Sequence, residues 1–173
     1  MQRPTPTEIE KEVTSIDLIV SKSDSEGKIT YVNPIFIKIS GYTQGELFEK
    51  PHSILRHPDM PRVIFKYLWE NLQKGNDVVA YVKNLCKDGS YYWVLATVKT
   101  AKNPDGSFRN YMSTRRSITE NAKSSISKIY AQLLKTEKDQ SFEESQEQFE
   151  KFLLTNNIQN IEEFNAFMQK INK

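Results

Sequence analysis

Apolar residues recur at helical spacing in one stretch of the chain and alternate in the next. Met60, Ile64, Tyr67 and Leu68 form one stripe, and Phe65, Trp69 and Leu72 widen it, which predicts a helix covered over a broad arc. Asp59 reads as its N-cap, with Pro61 tolerated in the first turn. Lys74-Gly75 is a fitting stop, a cation at the C-terminus followed by a residue suited to a left-handed cap. After Gly75 the period falls to two. Val78, Ala80, Val82, Asn84 and Cys86 share one strand face, and Val79, Tyr81 and Leu85 the other. Lys87-Asp88-Gly89-Ser90 supplies a hairpin turn, Tyr91 to Val98 runs back, Asn103-Pro104-Asp105-Gly106 turns again, and Phe108 to Arg116 completes a meander.

The first part of the chain is built on a smaller scale. Ile16 to Val20, the turn Asp24-Ser25-Glu26-Gly27 and Ile29 to Val32 predict a hairpin. Asn33-Pro34 then opens a short helix carrying Ile35, Phe36, Ile39 and Tyr42, broken at Gly41, and Thr43-x-x-Glu46 is a capping box for one further turn. Residues 1–14 are polar, with Pro4 and Pro6. They read as an arm, either flexible or forming a short helix from Thr7 to Val13.

All six glycines and all seven prolines precede Ser107, so the C-terminal region is free to be continuous helix. Ile126, Ile129, Tyr130, Leu133 and Leu134 form one stripe. Ser141-x-x-Glu144 starts a second helix carrying Phe149, Phe152 and Leu153, and Asn160-x-x-Glu163 a third carrying Phe164, Phe167, Met168 and Ile171. The expected organisation is an arm at 1–15, a core domain at 16–119 and a helical extension at 120–173. In the second meander strand Tyr92, Val94, Ala96 and Val98 face one way, yet Trp93 and Leu95 face the other. The sheet's outer face therefore needs a cover: the arm, the tail helices or a second subunit.

Composition narrows the chemistry. A formal charge of +2 gives no bulk basic field, so nucleic-acid binding is not indicated. Cys86 stands alone, which excludes an internal disulfide and a cysteine-based zinc cluster and fits a reducing compartment. No apolar run approaches the roughly 20 residues of a membrane span, and Met1-Gln2-Arg3-Pro4 leads into no signal-peptide core, so the expectation is a cytoplasmic protein with no membrane insertion. Both histidines, His52 and His57, lie between Pro51 and Asn84. His57 with Asp59 is half a catalytic dyad, but no nucleophile accompanies it, and no enzyme activity is expected. Asn84 is a polar group on an apolar inward face, where an unpaired amide costs about 1–3 kcal/mol.

The order hairpin, small helices, longer helix, three-stranded meander resembles a PAS domain: an α+β fold with a five-stranded antiparallel sheet and helices over one face, here followed by C-terminal helices. The motifs Tyr31-Val32-Asn33-Pro34-Ile35-Phe36, Ser40-Gly41-Tyr42-Thr43, Arg56-His57-Pro58-Asp59-Met60-Pro61, Val82-Lys83-Asn84 and Lys87-Asp88-Gly89-x-Tyr91-Tyr92-Trp93-Val94 are similar to the sensing domain of bacterial aerotaxis receptors over about residues 16–118. The resemblance implies a pocket between the central helices and the inner sheet face, holding FAD. Arg56, His57 and Asp59 match the loop beside the cofactor, Trp69 the helix tryptophan and Asn84 the strand asparagine. At the start of the third strand the family has a stacking tryptophan, where this chain has Val78.

Blue-light relatives need a reactive cysteine near the central helices, and His52 to Pro61 has none. Haem-binding relatives need an axial ligand, for which His57 or His52 are the candidates, and a pocket without ligand is the remaining alternative. Ser117-Ile118-Thr119 stands where many members have Asp-x-Thr, and residues 120–173 are too few for a kinase, cyclase or methyl-accepting module. The implied function is redox or energy-taxis sensing, as a homodimer or in a hetero-oligomer with a PAS or chemoreceptor signalling protein. The competing one is a ligand-free dimerisation scaffold.

Overall fold

In the computed structural model, which describes residues 3–172, five strands form one antiparallel sheet: β1 (Ile19–Ser23), β2 (Ile29–Val32), β3 (Val78–Leu85), β4 (Tyr91–Lys102) and β5 (Phe108–Arg116). Their order is β2-β1-β5-β4-β3. Met1, Gln2 and Lys173, the outermost positions of arm and tail, lie outside the described residues. Helix α1 (Pro34–Ser40) is capped by the Asn33 side chain and stopped by Gly41 at φ 74°. The short helix α2 (Gln44–Leu47) carries the expected Thr43–Glu46 capping box. A 3-10 turn (His52–Leu55) and helix α3 (Arg62–Gln73) then lead into β3.

Pairing sets which residues share a row. Val78 lies opposite Val98, Val98 opposite Ser113 and Ser113 opposite Ser21, while Ala80, Ala96 and Arg115 make the next row. Asn84 lies opposite Tyr92. This face looks toward α3. The opposite face, with Val79, Tyr81 and Trp93, is buried beneath the tail, where α4 (Glu120–Asp139) and α6 (Ile161–Ile171) meet the sheet and α5 (Phe142–Thr155) packs on α4 and α3. The Tyr81 hydroxyl donates to Met168 O at 2.9 Å, and the Tyr130 hydroxyl donates to Tyr81 O at 3.0 Å. Of the three covers open to the sequence, the tail takes most of this face.

The tail also wraps round the edge strand β3 to reach α3. Tyr67 of α3 packs edge-on against Phe149 and Phe164, with ring centroids 5.3 and 4.9 Å apart. Each tail stripe thus meets a partner within the chain, which is where most of a helix's stability comes from.

Four local expectations are corrected. Asp59 does not cap α3, whose first residue is Arg62; the backbone N–H groups of Arg62 and Val63 donate instead to the Glu137 carboxylate of α4, at 3.0 and 2.9 Å. A carboxylate held over a helix N-terminus satisfies two otherwise orphaned donors and complements the dipole. β1 begins at Ile19, because Thr14 and Asp17 close a turn that leaves Ile16 exposed. β4 runs on to Lys102, paired with β5 throughout its second half.

The arm forms no helix at Thr7 to Val13. It lies extended beside the start of β4, with Tyr91 N donating to Ile9 O and Lys11 N to Tyr91 O at 2.9 and 2.7 Å. β5 pairs with β4 only from Leu95 onward, so the arm takes up backbone groups that β5 leaves free. Its passage is tight. Gly89, at φ 86°, sits so close to Thr5 O that a Cβ there would collide with it.

Candidate functional site

A cavity of about 600 Å³ lies between α3 and the inner sheet face, within the usual range for a small-molecule site. Its construction follows from the two periodicities. Phe65, Leu68, Trp69 and Leu72 come from one face of α3, and Val78, Ala80, Val82 and Val98 from alternate positions of β3 and β4. These walls are apolar and face one another, which suits a flat, hydrophobic guest.

The rest of the lining is polar: Ser21 from β1, His52 from the 3-10 turn, Asn84 from β3, and Ser113 and Arg115 from β5. Asn84 Nδ2 and Ser113 Oγ are buried with no hydrogen-bond partner, as is the neighbouring Tyr92 hydroxyl. Buried polar atoms are nearly always paired, and each orphan costs about 1–3 kcal/mol, so those in the lining mark points where a guest makes polar contacts. His52 Nε2 lies 2.8 Å from Ser21 Oγ and 3.2 Å from an Arg115 nitrogen. Removal from solvent, with the Arg115 charge beside it, pushes His52 down to about 3, so the ring is neutral and Nε2 is the acceptor.

The mouth is basic. Arg56, Arg62 and Lys66 stand around it together with Phe142, the first residue of α5. The Arg56 guanidinium lies over Phe65 at 4.4 Å, and Arg62 over Phe142 at 4.7 Å. Among the described residues no carboxylate lines the cavity. The donor set therefore fits a molecule with hydrogen-bond acceptors along its body and an anionic group near Arg56, Arg62 and Lys66.

Fold and cavity together define a family, and residues 29–115 match the one described as PAS fold. The chain belongs to the PAS family. Residues of its PAS core are 36% identical over 115 positions to the aerotaxis receptor of Escherichia coli K12, covering 66% of this chain and 22% of that receptor. The nitrogen fixation regulatory protein of Klebsiella pneumoniae is 27% identical over 107 residues, covering 62% of this chain and 22% of that protein. The chain thus spans about a fifth of the length of these curated relatives. Among solved structures, a light-oxygen-voltage domain studied with a flavin analogue superposes with a TM-score of 0.57 at 21% identity, covering 64% of this chain and 83% of that one. The light state of the Aureochrome1 light-oxygen-voltage photoreceptor gives 0.54 at 20% identity, covering 70% and 90%.

Within the PAS core, the sequence-predicted site residues divide. Arg56, Trp69 and Asn84 line the cavity, and an isolated bridge between Arg56 and Asn84 holds the loop against the end of β3. His57 and Asp59 do not reach it. The His57 ring packs edge-on against Tyr91 at 5.6 Å and its Nδ1 accepts from Asp59 N at 3.1 Å, while burial and the nearby Lys83 charge push it down to about 4. The Asp59 carboxylate pairs with Lys83 at 2.7 Å on the outer side of β3.

Ser21, Ser113, Arg115 and Phe142 were not among the residues singled out from the sequence. For β5 the signal was present: once Tyr111 is placed inward, alternation puts Ser113 and Arg115 on the same face. Among the described residues no His, Cys, Asp and Glu group has metal-binding geometry, and no helix is long and apolar enough to cross a membrane.

Proposed function

We propose that this chain is a redox-sensing PAS protein that holds a flavin, FAD in the first instance, between α3 and the inner sheet face and passes the state of that cofactor to its tail helices. The observation that carries this reading is the cavity itself: facing apolar walls, orphaned donors in its lining, a basic mouth, and a tail residue, Phe142, in its rim. A flavin presents an apolar ring, a carbonyl-bearing edge and, in its nucleotide forms, phosphates, and each has a matching region here. Bound flavin would supply reversible electron uptake; Asn84, Ser113 and Arg115 would orient the ring, and Arg56, Arg62 and Lys66 would hold the phosphates. Val78 leaves the wall at the start of β3 small where a tryptophan would stack, so more of the binding falls to the polar groups.

The link to output runs through the same rim. Phe142 is touched by Arg62 and Lys66, and Glu137 caps α3, so a shift of α3 on a change of ligand state pulls directly on α4 and α5. The similarity to an aerotaxis receptor supports energy taxis as the setting and a chemoreceptor-type signalling protein as the partner, met in the cytoplasm. Because the tail covers the outer face of the sheet, a partner or second copy reads the tail or displaces it. A haem reading is less well supported, since His52 Nε2 is already engaged by Ser21 and Arg115 and His57 is turned away.

The test is an absorption spectrum of freshly purified protein. A flavin band near roughly 450 nm, released with FAD on denaturation, is expected. A colourless protein that also fails to take up FAD or FMN when refolded with them would remove the flavin reading and leave the scaffold.

A further inference from the structure

Phe142 differs from the other phenylalanines of the tail. Phe149, Phe152, Phe164 and Phe167 pack ring against ring, whereas the partners of the Phe142 ring are cations, the Arg62 guanidinium at 4.7 Å and the Lys66 ammonium at 5.4 Å. Half-buried at the first position of α5, it lines the cavity together with Phe65, Leu68 and Trp69 of α3. Among the described residues no other tail side chain does so. Three contacts hold this corner of the tail on the start of α3. The Glu137 carboxylate accepts from Arg62 N and Val63 N, Lys66 Nζ donates to Gln146 Oε1 at 2.6 Å, and the Phe142 ring lies under both cations. A cation is drawn to the face of an aromatic ring, so the ring also fixes where Arg62 and Lys66 stand at the mouth.

We propose that Phe142 is a ligand-contacting residue lent to the cavity by the tail: its ring completes the apolar wall at the mouth and positions Arg62 and Lys66 for the anionic group of the ligand. The inference rests on the cavity being the ligand site and deepens the flavin reading by making the site a composite of PAS core and tail. Occupancy of the cavity and docking of the tail corner then stabilise each other. Linkage is reciprocal, so whatever the docked corner adds to ligand affinity, the ligand adds to docking. Docking has its own reporter. The amides of Arg62 and Val63 stand in the first turn of α3, where a helix offers no acceptor of its own, and both donate to Glu137. Their exchange with solvent therefore follows how often the corner lifts.

The experiment measures FAD affinity and site-resolved hydrogen exchange in the full chain, as wild type, Phe142→Ala and Phe142→Tyr, with the thermal midpoint of each ligand-free protein alongside. Phe142→Ala is expected to weaken FAD about two- to tenfold, the worth of one aromatic contact, and Phe142→Tyr to keep most of the affinity. Saturating FAD should slow exchange at Arg62 and Val63 in wild type, and in Phe142→Ala that slowing should shrink by the factor by which affinity falls. Unchanged or tighter FAD binding by Phe142→Ala overturns the proposal, and so does exchange at Arg62 and Val63 that ignores FAD. A lowered ligand-free midpoint with both of these readouts unchanged overturns it as well, leaving Phe142 a packing residue. Should wild type bind no FAD, the flavin reading fails by itself. The inference is then decided with anilinonaphthalene sulfonate, an apolar ring system with one anionic group. Weaker binding by Phe142→Ala, together with slowed exchange at Arg62 and Val63 in wild type, sustains it; equal affinity, unaltered exchange or no binding overturns it.

Discussion

The two faces of one sheet are finished in opposite ways. Under the tail the polar groups at the centre of the interface find partners within the chain: the Tyr81 and Tyr130 hydroxyls donate to carbonyls, and Ser145 Oγ donates to Leu133 O at 3.0 Å between two tail helices. On the inner face Asn84, Ser113 and Arg115 are left with unused capacity around a cavity. The same strands supply both faces, alternate residues going each way, so the difference is one of composition rather than of architecture. The outer face spends its residues on stability, and the inner face keeps a partly unsatisfied surface that a guest can complete.

The contrast is broken most severely by removing one side of it. Ending the chain after Thr119 uncovers Val79, Tyr81 and Trp93 together. The expected product aggregates or changes its oligomeric state; light scattering that shows a monodisperse species of unchanged stoichiometry would contradict the role given to the tail. A single cut into the same interface is smaller: Phe164→Ala should cost about 3–5 kcal/mol in urea denaturation, since Phe164 is fully buried between α3, α5 and the edge of the sheet. A cost below about 1 kcal/mol would mean that α6 is only loosely seated.

Acid tests the inner side. In the unfolded chain His52 and His57 protonate near about 6.5, whereas in the folded protein burial, aided by Arg115 for one and Lys83 for the other, lowers them to about 3 and about 4. The unfolded state therefore binds more protons below pH 6.5, so the stability contributed by the neutral rings is complete above that pH and lost as pH falls. Glu46, held down to about 2 by Lys87, and Asp88, held down to about 2 by Ser90, begin to act only as pH falls into the usual carboxylate range, about 4.5 and below. Between about pH 4.5 and 6.5 the slope belongs to the histidines, at most about 1.4 kcal/mol per pH unit each. Urea midpoints across that interval should flatten by about half in His52→Gln, and an unaltered slope would show that His52 is not held neutral.

The smallest effect has the reverse sign. Asn84→Leu removes an orphaned amide from an apolar row, so the ligand-free protein should keep its stability or gain up to about 1 kcal/mol, while flavin retention falls. A clear destabilisation by calorimetry, with retention intact, would place Asn84 with the structural residues of the outer face.

Much of this division was legible in the sequence, and the parts that were not share a cause. Helical and strand periods located α3, the meander and the three tail helices because each element buries a face of its own. Asn84 stood out as a polar residue in an apolar row, and Trp93 on the wrong face announced a cover. Asp59 misled, because a carboxylate before Pro61 resembles a cap, and nothing local reveals that Glu137, 75 residues away in the helical tail, occupies that place. The arm misled for a similar reason: its partner is an edge that exists only because β5 departs from β4 at Leu95. Arg115, beside Arg116 in a strand of mixed polarity, drew no expectation, and only register puts it inside. Local pattern reports what an element buries, and it is silent on what a distant element lends.

One side chain of α6 has a consequence for assembly. Val79 N donates to Asn165 Oδ1 at 2.7 Å, and Asn165 Nδ2 donates to Asp77 O at 2.8 Å, so a single amide reproduces on the border of β3 the pair of bonds that a neighbouring strand would make. Farther along, His57 N donates to Lys83 O at 3.4 Å, and Met60 Sδ accepts from Lys83 N at 3.3 Å. The border is thus sealed at both ends by groups that cannot themselves be extended, much as a terminating monomer ends a polymer. Copies of this chain cannot join sheet to sheet at β3, and whatever complex it enters has to be built without adding a strand there.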